Sequence, residues 1–233
     1  MLKQQRRWHS YPDIEVLKQD VVKLITKYAR QCIESHGAFH IVLAGGTTPR
    51  IIYQELPDID TDWSAWHIYF GDERCLAAGA VERNDTMAQQ SWLNHVSIPA
   101  HQIHAIPAEL GNQDGAKSYA RILKGIENFD LVLLGLGEDG HTASLFPGHA
   151  LGSEENAPAV LAVNDAPKPP SERISLSASR LSQANQVWFL VTGETKRWAI
   201  ETWQHEQIVP ALSICPLRGV DIYTDLDLVG ILY

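Results

Sequence analysis

Residues 39–49 read Phe39-His40-Ile41-Val42-Leu43-Ala44-Gly45-Gly46-Thr47-Thr48-Pro49. Residues 39–43, mostly apolar, predict a short buried strand, and the glycines break it. A helix is expected next, from Thr48 to about Glu55. Pro49 suits its first turn, where a missing N–H has no partner to lose. A strand running straight into a helix is half of a strand–helix–strand unit, so the fold turns on whether the rest of the chain repeats it.

It does. Upstream, Ile14, Leu17, Val21, Leu24, Tyr28 and Cys32 recur at helical spacing, predicting a helix from about Asp13 to His36 that Gly37 ends. Downstream, strands are expected at 66–70, 102–106, 130–134, 173–177 and 186–191, with helices at 85–93, 113–126 and 194–203. Tyr223-Thr224-Asp225 reads as one more strand. The stretch 148–170 carries Pro158, Pro167, Pro169 and Pro170 and reads as a surface loop. Strands alternating with helices predict an α/β domain with a mostly parallel sheet and helices on both faces. A single domain over residues 1–233 accommodates the whole pattern.

Composition narrows the function classes. A net charge of -9 argues against a nucleic-acid partner. No apolar run is long enough to span a bilayer, and the basic start leads into no apolar signal core, so no membrane association is expected. Cys32, Cys75 and Cys215 form an odd, scattered set, which suggests free thiols in a reducing compartment, the cytoplasm by default. Length and composition leave monomer and small homo-oligomer equally open. An acidic protein acting on an anion must gather its positive charge locally.

The polar and glycine-rich segments 44–49, 71–74, 135–141 and 192–196 all follow predicted strands. In a parallel sheet these are the carboxyl ends, which share one crevice. Gly45 and Gly46 let backbone N–H groups approach an anion, and Thr47 and Thr48 add hydroxyl donors; a plain turn would look the same. No Lys-Ser/Thr ending follows, so a nucleoside triphosphate is not indicated. Gly135-Leu136-Gly137-Glu138-Asp139-Gly140 matches the dinucleotide pattern G-x-G-x-x-G. That fingerprint needs a helix of several turns, which Pro147 and Gly148 would stop, and Asp165 is a poor candidate for its acidic residue.

Asp139-Gly140-His141 places a carboxylate and an imidazole two residues apart. They form a compact acid–base unit, or else merely cap a loop. Behind Phe70 come Asp72, Glu73 and Arg74. The Arg74 guanidinium suits an oxyanion or carboxylate product, or a solvated ion pair at a strand end. Arg173 and Lys196 flank the two long strands expected at 173–177 and 186–191, and would supply cations for a phosphate. His101-x-x-His104 has no further ligand at metal spacing, and no G-x-S-x-G occurs. No metal site is expected.

Taken together, Ala44–Pro49, Gly71–Arg74, Gly135–Gly148, Pro170–Leu176 and Val191–Lys196 resemble the 6-phosphogluconolactonase family, within the superfamily that also holds glucosamine-6-phosphate deaminase. Ala44 and Thr47 stand where that family usually has serine, and Arg83 stands where serine commonly precedes Asn84. The resemblance implies a three-layer α/β/α, Rossmann-like fold without a nucleotide or other cofactor. It implies a small phosphorylated sugar lactone as substrate, with residues 45–48, Asp72, Arg173 and Lys196 holding it and His141 as general base. Asp139 would orient the imidazole and Arg74 would meet the developing charge. It also separates lactonase from deaminase. The deaminases carry a glutamate seven positions after the aspartate and a tyrosine after the Asp-Glu pair, and here those positions are Phe146 and Arg74.

Overall fold

The computed structural model describes residues 3–227. The single domain expected over 1–233 therefore includes residues 1–2 and 228–233, which lie outside the described residues. In chain order the elements are β1 (Arg6–Ser10), α1 (Ile14–His36), β2 (Phe39–Leu43), α2 (Thr47–Tyr53), β3 (Trp66–Phe70), β4 (Asp72–Arg74), α3 (Asn84–Ser91), β5 (Ile103–His104) and α4 (Asn112–Ile122). Then follow β6 (Phe129–Leu134), β7 (Val160–Val163), β8 (Arg173–Leu176), α5 (Ala178–Ser182), β9 (Ala184–Val191), α6 (Arg197–Gln204) and β10 (Val220–Thr224). Among the described residues, seven strands form a parallel sheet in the order β1-β10-β9-β6-β2-β3-β5. None of the described helices is long and apolar enough to cross a membrane.

The local reasons are conventional. In α1 the buried residues Leu17, Val21, Ile25 and Ala29 recur every fourth position, one stripe against the sheet. Asp13 caps the helix by accepting from the Val16 N–H, and Gly37 ends it at φ +83°, where a side chain would be strained. All six residues of β6 are buried, as befits a central parallel strand covered on both faces. Phe39 and Trp66 meet edge-to-face at 4.7 Å in the core between β2 and β3.

A second sheet, β4-β8-β7, is antiparallel. It corrects three expectations. The strand expected at 173–177 leaves the parallel sheet to pair with β4 and β7. The 71–74 segment is a strand rather than a loop. The expected surface loop 148–170 contains β7, whose four residues were concealed by flanking prolines. β1 was also not foreseen; Arg-Arg-Trp-His-Ser is a half-exposed edge strand with little apolar signal. The strand expected at 102–106 contracts to two residues, and the last strand begins at Val220 rather than Tyr223.

The small sheet matters because it folds over the carboxyl edge of the large one. Leu43 O accepts from Gly71 N–H, and Gly71 O accepts from Leu176 N–H, so the two sheets share Gly71. Its register sets Arg74 opposite Arg173 and Asp72 opposite Ser175.

Candidate active site

A crevice of about 260 Å³ opens where the carboxyl ends of β2, β3 and β6 meet the small sheet. Its walls include Gly45, Gly46, Asp72, Arg74, His141, Arg173 and Lys196. Three loops and the short strand β4, all distant in sequence, therefore converge at the carboxyl edge. Thr47 and Thr48 are not in this crevice. They line a neighbouring hollow that shares Gly45, Gly46 and Lys196 with it. Thr48 Oγ1 lies 2.6 Å from Thr192 Oγ1, which ties the first loop to the end of β9.

The turn after β6 is built around its histidine. Gly137 N–H donates to His141 O at 2.7 Å and Gly140 N–H to Gly137 O at 3.0 Å, closing a tight loop. His141 Nδ1 lies 2.5 Å from Asp139 Oδ1, which also accepts from the His141 N–H at 3.2 Å. Nε2 is left as the nitrogen for external chemistry. A Cβ on Gly137 would stand 1.9 Å from His141 Nδ1, and one on Gly140, at φ +79°, would meet Val209 at 2.6 Å. Gly137, the middle glycine of the dinucleotide-like pattern, thus leaves the room that the imidazole–carboxylate pair occupies, and Gly140 lets the turn pack against Val209. For Asp139, burial is the largest influence and pushes the carboxyl up. The hydrogen bond and charge of His141, with backbone donors, outweigh it and hold the group below its usual range.

Asp72 is buried with both oxygens engaged. Oδ1 accepts from Asn84 Nδ2 at 3.1 Å and Oδ2 from Ser144 Oγ at 2.6 Å. Gly45 explains the close fit of the first loop, since a Cβ there would overlap Asn84 Oδ1 at 2.0 Å. Glu73 is turned away from the crevice. It accepts from the N–H groups of Arg74, Asn84 and Asp85 and so anchors the start of α3. Burial pushes its carboxyl upward against those three donors. Arg83, where the resemblance led us to expect serine, is a buried clamp that holds Asp85 with two hydrogen bonds and Glu109 with a third.

The cations differ from one another. Arg173 is 6% exposed, and its hydrogen bonds go to the carbonyls of Lys168, Pro169 and Pro170. No carboxylate forms an ion pair with it among the described residues. Burial lowers its pKa and outweighs the opposing charges of Asp72 and Glu73, while Arg74 adds to the lowering. Arg74 Nη1 donates to the Glu82 carbonyl, while its buried Nε has no partner. Burial also lowers the pKa of Lys196. Lys168, which sequence reasoning passed over, is a fourth cation on the crevice wall. Its signal was a lysine set between Pro167 and Pro169. Phe146 was noted only as a missing glutamate. Its ring lies 4.7 Å from that of His141 and 5.8 Å from the Arg173 guanidinium, joining the two.

The arrangement is an imidazole–carboxylate pair facing four cations. It can activate water and hold an anion. Cys32, His36 and Asp130, which bring metal-ligating atoms within 4.8 Å of one another, lie at the other edge of the sheet.

Comparison with known proteins gives the family and the fold. The family described as Glucosamine-6-phosphate isomerases/6-phosphogluconolactonase matches residues 12–224. The chain is 34% identical over 215 residues to 6-phosphogluconolactonase 3, chloroplastic, from Arabidopsis thaliana, covering 85% of this chain and 66% of that one. It spans slightly less than two thirds of the plant protein. A 6-phosphogluconolactonase from Mycobacterium tuberculosis is 34% identical over 204 residues, covering 82% of each. In fold the chain is similar to a 6-phosphogluconolactonase from Thermotoga maritima, at a TM-score of 0.87 and 23% identity over 94% of this chain and 99% of that one. The chain belongs to the glucosamine-6-phosphate isomerase/6-phosphogluconolactonase family.

Proposed function

We propose that the chain hydrolyses 6-phospho-D-glucono-1,5-lactone to 6-phosphogluconate, the lactone-opening step of the oxidative pentose phosphate pathway. The observation that carries this reading is the Asp139–His141 pair opposite a buried arginine whose hydrogen bonds go to backbone carbonyls and that forms no ion pair with a carboxylate among the described residues. A dianionic phosphate supplies the missing charge, and a lactone needs only an activated water. The relatives named as lactonases support the same substrate.

In this mechanism His141 Nε2 takes a proton from water as the hydroxyl oxygen bonds to C1 of the lactone. Asp139, ionised and bonded to Nδ1, fixes the tautomer and steadies the imidazolium. The C1–ring-oxygen bond then breaks, and the imidazolium returns its proton to the leaving alkoxide. Arg74 meets the oxyanion and then the product carboxylate. Asp72 keeps its place among the substrate-binding residues through Ser144 and Asn84, which fix how it faces the sugar hydroxyls. Residues 45–48 hold the phosphate where the crevice meets the hollow that Thr47 and Thr48 line, with Lys196 common to both, Arg173 on the crevice wall and Lys168 adding charge at the rim. Because α2 has only seven residues, the first loop acts through its N–H and hydroxyl donors more than through a helix dipole. Unpaired Cys32, Cys75 and Cys215 support a reducing compartment such as the cytoplasm.

Deamination of an amino sugar phosphate is the second reading, and Phe146 opposes it. That reaction moves protons between carbons and needs another acid–base group beside the imidazole. Here an apolar ring stands there. The test is lactone hydrolysis above the spontaneous rate, assayed beside ammonia release from glucosamine 6-phosphate. We expect the first and not the second. Ammonia release without lactone hydrolysis would reverse the assignment.

A further inference from the structure

At the amino edge of the large sheet, about one strand length from the crevice (~15 Å), three side chains converge. Cys32 and His36 are four residues apart on α1, hence stacked one turn apart on one face. Asp130 is the second residue of β6. One ligand atom from each lies within 4.8 Å of the others. We propose that Cys32, His36 and Asp130 bind a zinc ion, a site that closes the end of α1 onto the start of β6 and takes no part in hydrolysis. The proposal departs from our reading of the sequence, which found no metal spacing because the third ligand is remote in the chain.

Four observations carry it. A thiolate, an imidazole and a carboxylate are the donor types zinc takes, and three protein ligands leave a position for water. His36 Nε2 stands 3.3 Å from Asp130 Oδ2, and two atoms each ~2.0 Å from a tetrahedral ion are separated by about that distance. Asp130 is held from behind: the His40 N–H donates to Oδ2 at 2.9 Å and Asn185 Nδ2 to Oδ1 at 3.2 Å, the outer support typical of metal carboxylates. The surroundings favour a cation. His36 lies in the last turn of a 23-residue helix, whose free carbonyls carry partial negative charge. A hollow of about 470 Å³ opens beside His36 and Asp130, with Glu127 on its wall and no lysine or arginine.

Binding would exchange a proton for the metal. A cysteine thiol is mostly protonated at neutral pH, and zinc takes it as the thiolate. The Sγ–zinc bond forms as the S–H proton leaves to solvent. No electrons move.

The test uses the full chain, freed of metal with a chelator, then titrated with Co2+ as a spectroscopic probe and with Zn2+. One equivalent of Co2+ should give a thiolate-to-metal charge-transfer band, and Zn2+ should release one proton and raise Tm. The band should vanish in Cys32→Ala. In His36→Gln, an exposed position that folding tolerates, Zn2+ affinity should fall by roughly 100-fold or more, beyond the 10–100-fold cost of losing an outer-shell partner. Absence of the band in the parent chain, its persistence in Cys32→Ala, or unchanged affinity in His36→Gln would each overturn the proposal. A Cys32→Ala chain that does not fold leaves the decision to His36→Gln.

Discussion

Each edge of the seven-stranded sheet carries histidine–aspartate pairs, and the surroundings of the pairs set them apart. At the carboxyl edge, His141 and Asp139 are two residues apart in a glycine-built turn, and no lysine or arginine forms an ion pair with Asp139 among the described residues, Lys196 acting on its charge only from further off. At the amino edge, Asp130 and Asp221 each occupy the second position of a parallel strand. His9 Nε2 lies 2.8 Å from Asp221 Oδ1, but Arg7 grips that carboxylate with two further bonds and Tyr223 stacks on the imidazole at 4.7 Å. A carboxylate neutralised by arginine lends little to its histidine. A contact distance alone does not identify catalysis. What distinguishes the crevice is an aspartate that no arginine grips and four cations that form no ion pair among the described residues.

The comparison is broken most directly at its two imidazoles. His141→Ala should lower kcat by ~10²–10⁴-fold with little change in KM, because a general base acts in the transition state while the phosphate anchors both states. His9→Ala should leave both constants near their parent values. Equal losses in the two variants, measured on freshly generated lactone, would mean that the surroundings do not discriminate.

Gly137→Ala probes the same pair without touching its chemistry. The new Cβ cannot coexist with His141 Nδ1 at 1.9 Å, so the imidazole must move. A displacement of about 1 Å costs on the order of 10²-fold in kcat. Retained kcat together with an unchanged melting temperature would show that the turn is less rigid than its geometry implies.

Among the cations, burial predicts a ranking. Arg173→Ala should raise KM for the phosphorylated lactone by roughly 10–100-fold, the worth of a charge-assisted contact in a desolvated place. Lys168→Ala, exposed at the rim, should raise it only a few-fold. If the unphosphorylated lactone lost as much as the phosphorylated one, these side chains would not be phosphate ligands.

The smallest effect is expected at the amino edge, in stability rather than rate. His40, His67 and His104 lie stacked across β2, β3 and β5, and burial lowers the pKa of each, that of His104 to about 4. A histidine whose folded pKa lies below its unfolded value near 6.5 binds fewer protons when folded. Stability is then held above about pH 6.5 and lost as pH falls toward about 4. His104→Gln should flatten that part of the stability–pH curve, followed by denaturant unfolding at several pH values. An unaltered slope would show that protonation of this stack is not what acid acts upon.

Much of this was legible in the chain itself. Residues 39–49 predicted strand and helix because apolar runs and glycine breaks act locally, and repetition of that unit implied a parallel sheet with one shared crevice. Asp139 and His141 were legible as a pair because two residues and a glycine separate them. Tertiary structure decided what depends on distant partners. Arg74 and Arg173 face each other only through the antiparallel register of β4 and β8; a strand was expected at 173–177, but its pairing with a three-residue strand after Gly71 and with a proline-flanked β7 depends on partners remote in the chain. Thr47 and Thr48 fell beside the crevice rather than within it because α2 begins at Thr47 and both line the adjoining hollow, where Thr48 meets Thr192. Whether Arg173 was a surface charge or a buried guanidinium awaiting an anion could not be read from its neighbours in sequence, since desolvation is a property of what folds over a residue. For the same reason Cys32, His36 and Asp130 became a group only when α1 docked against β6.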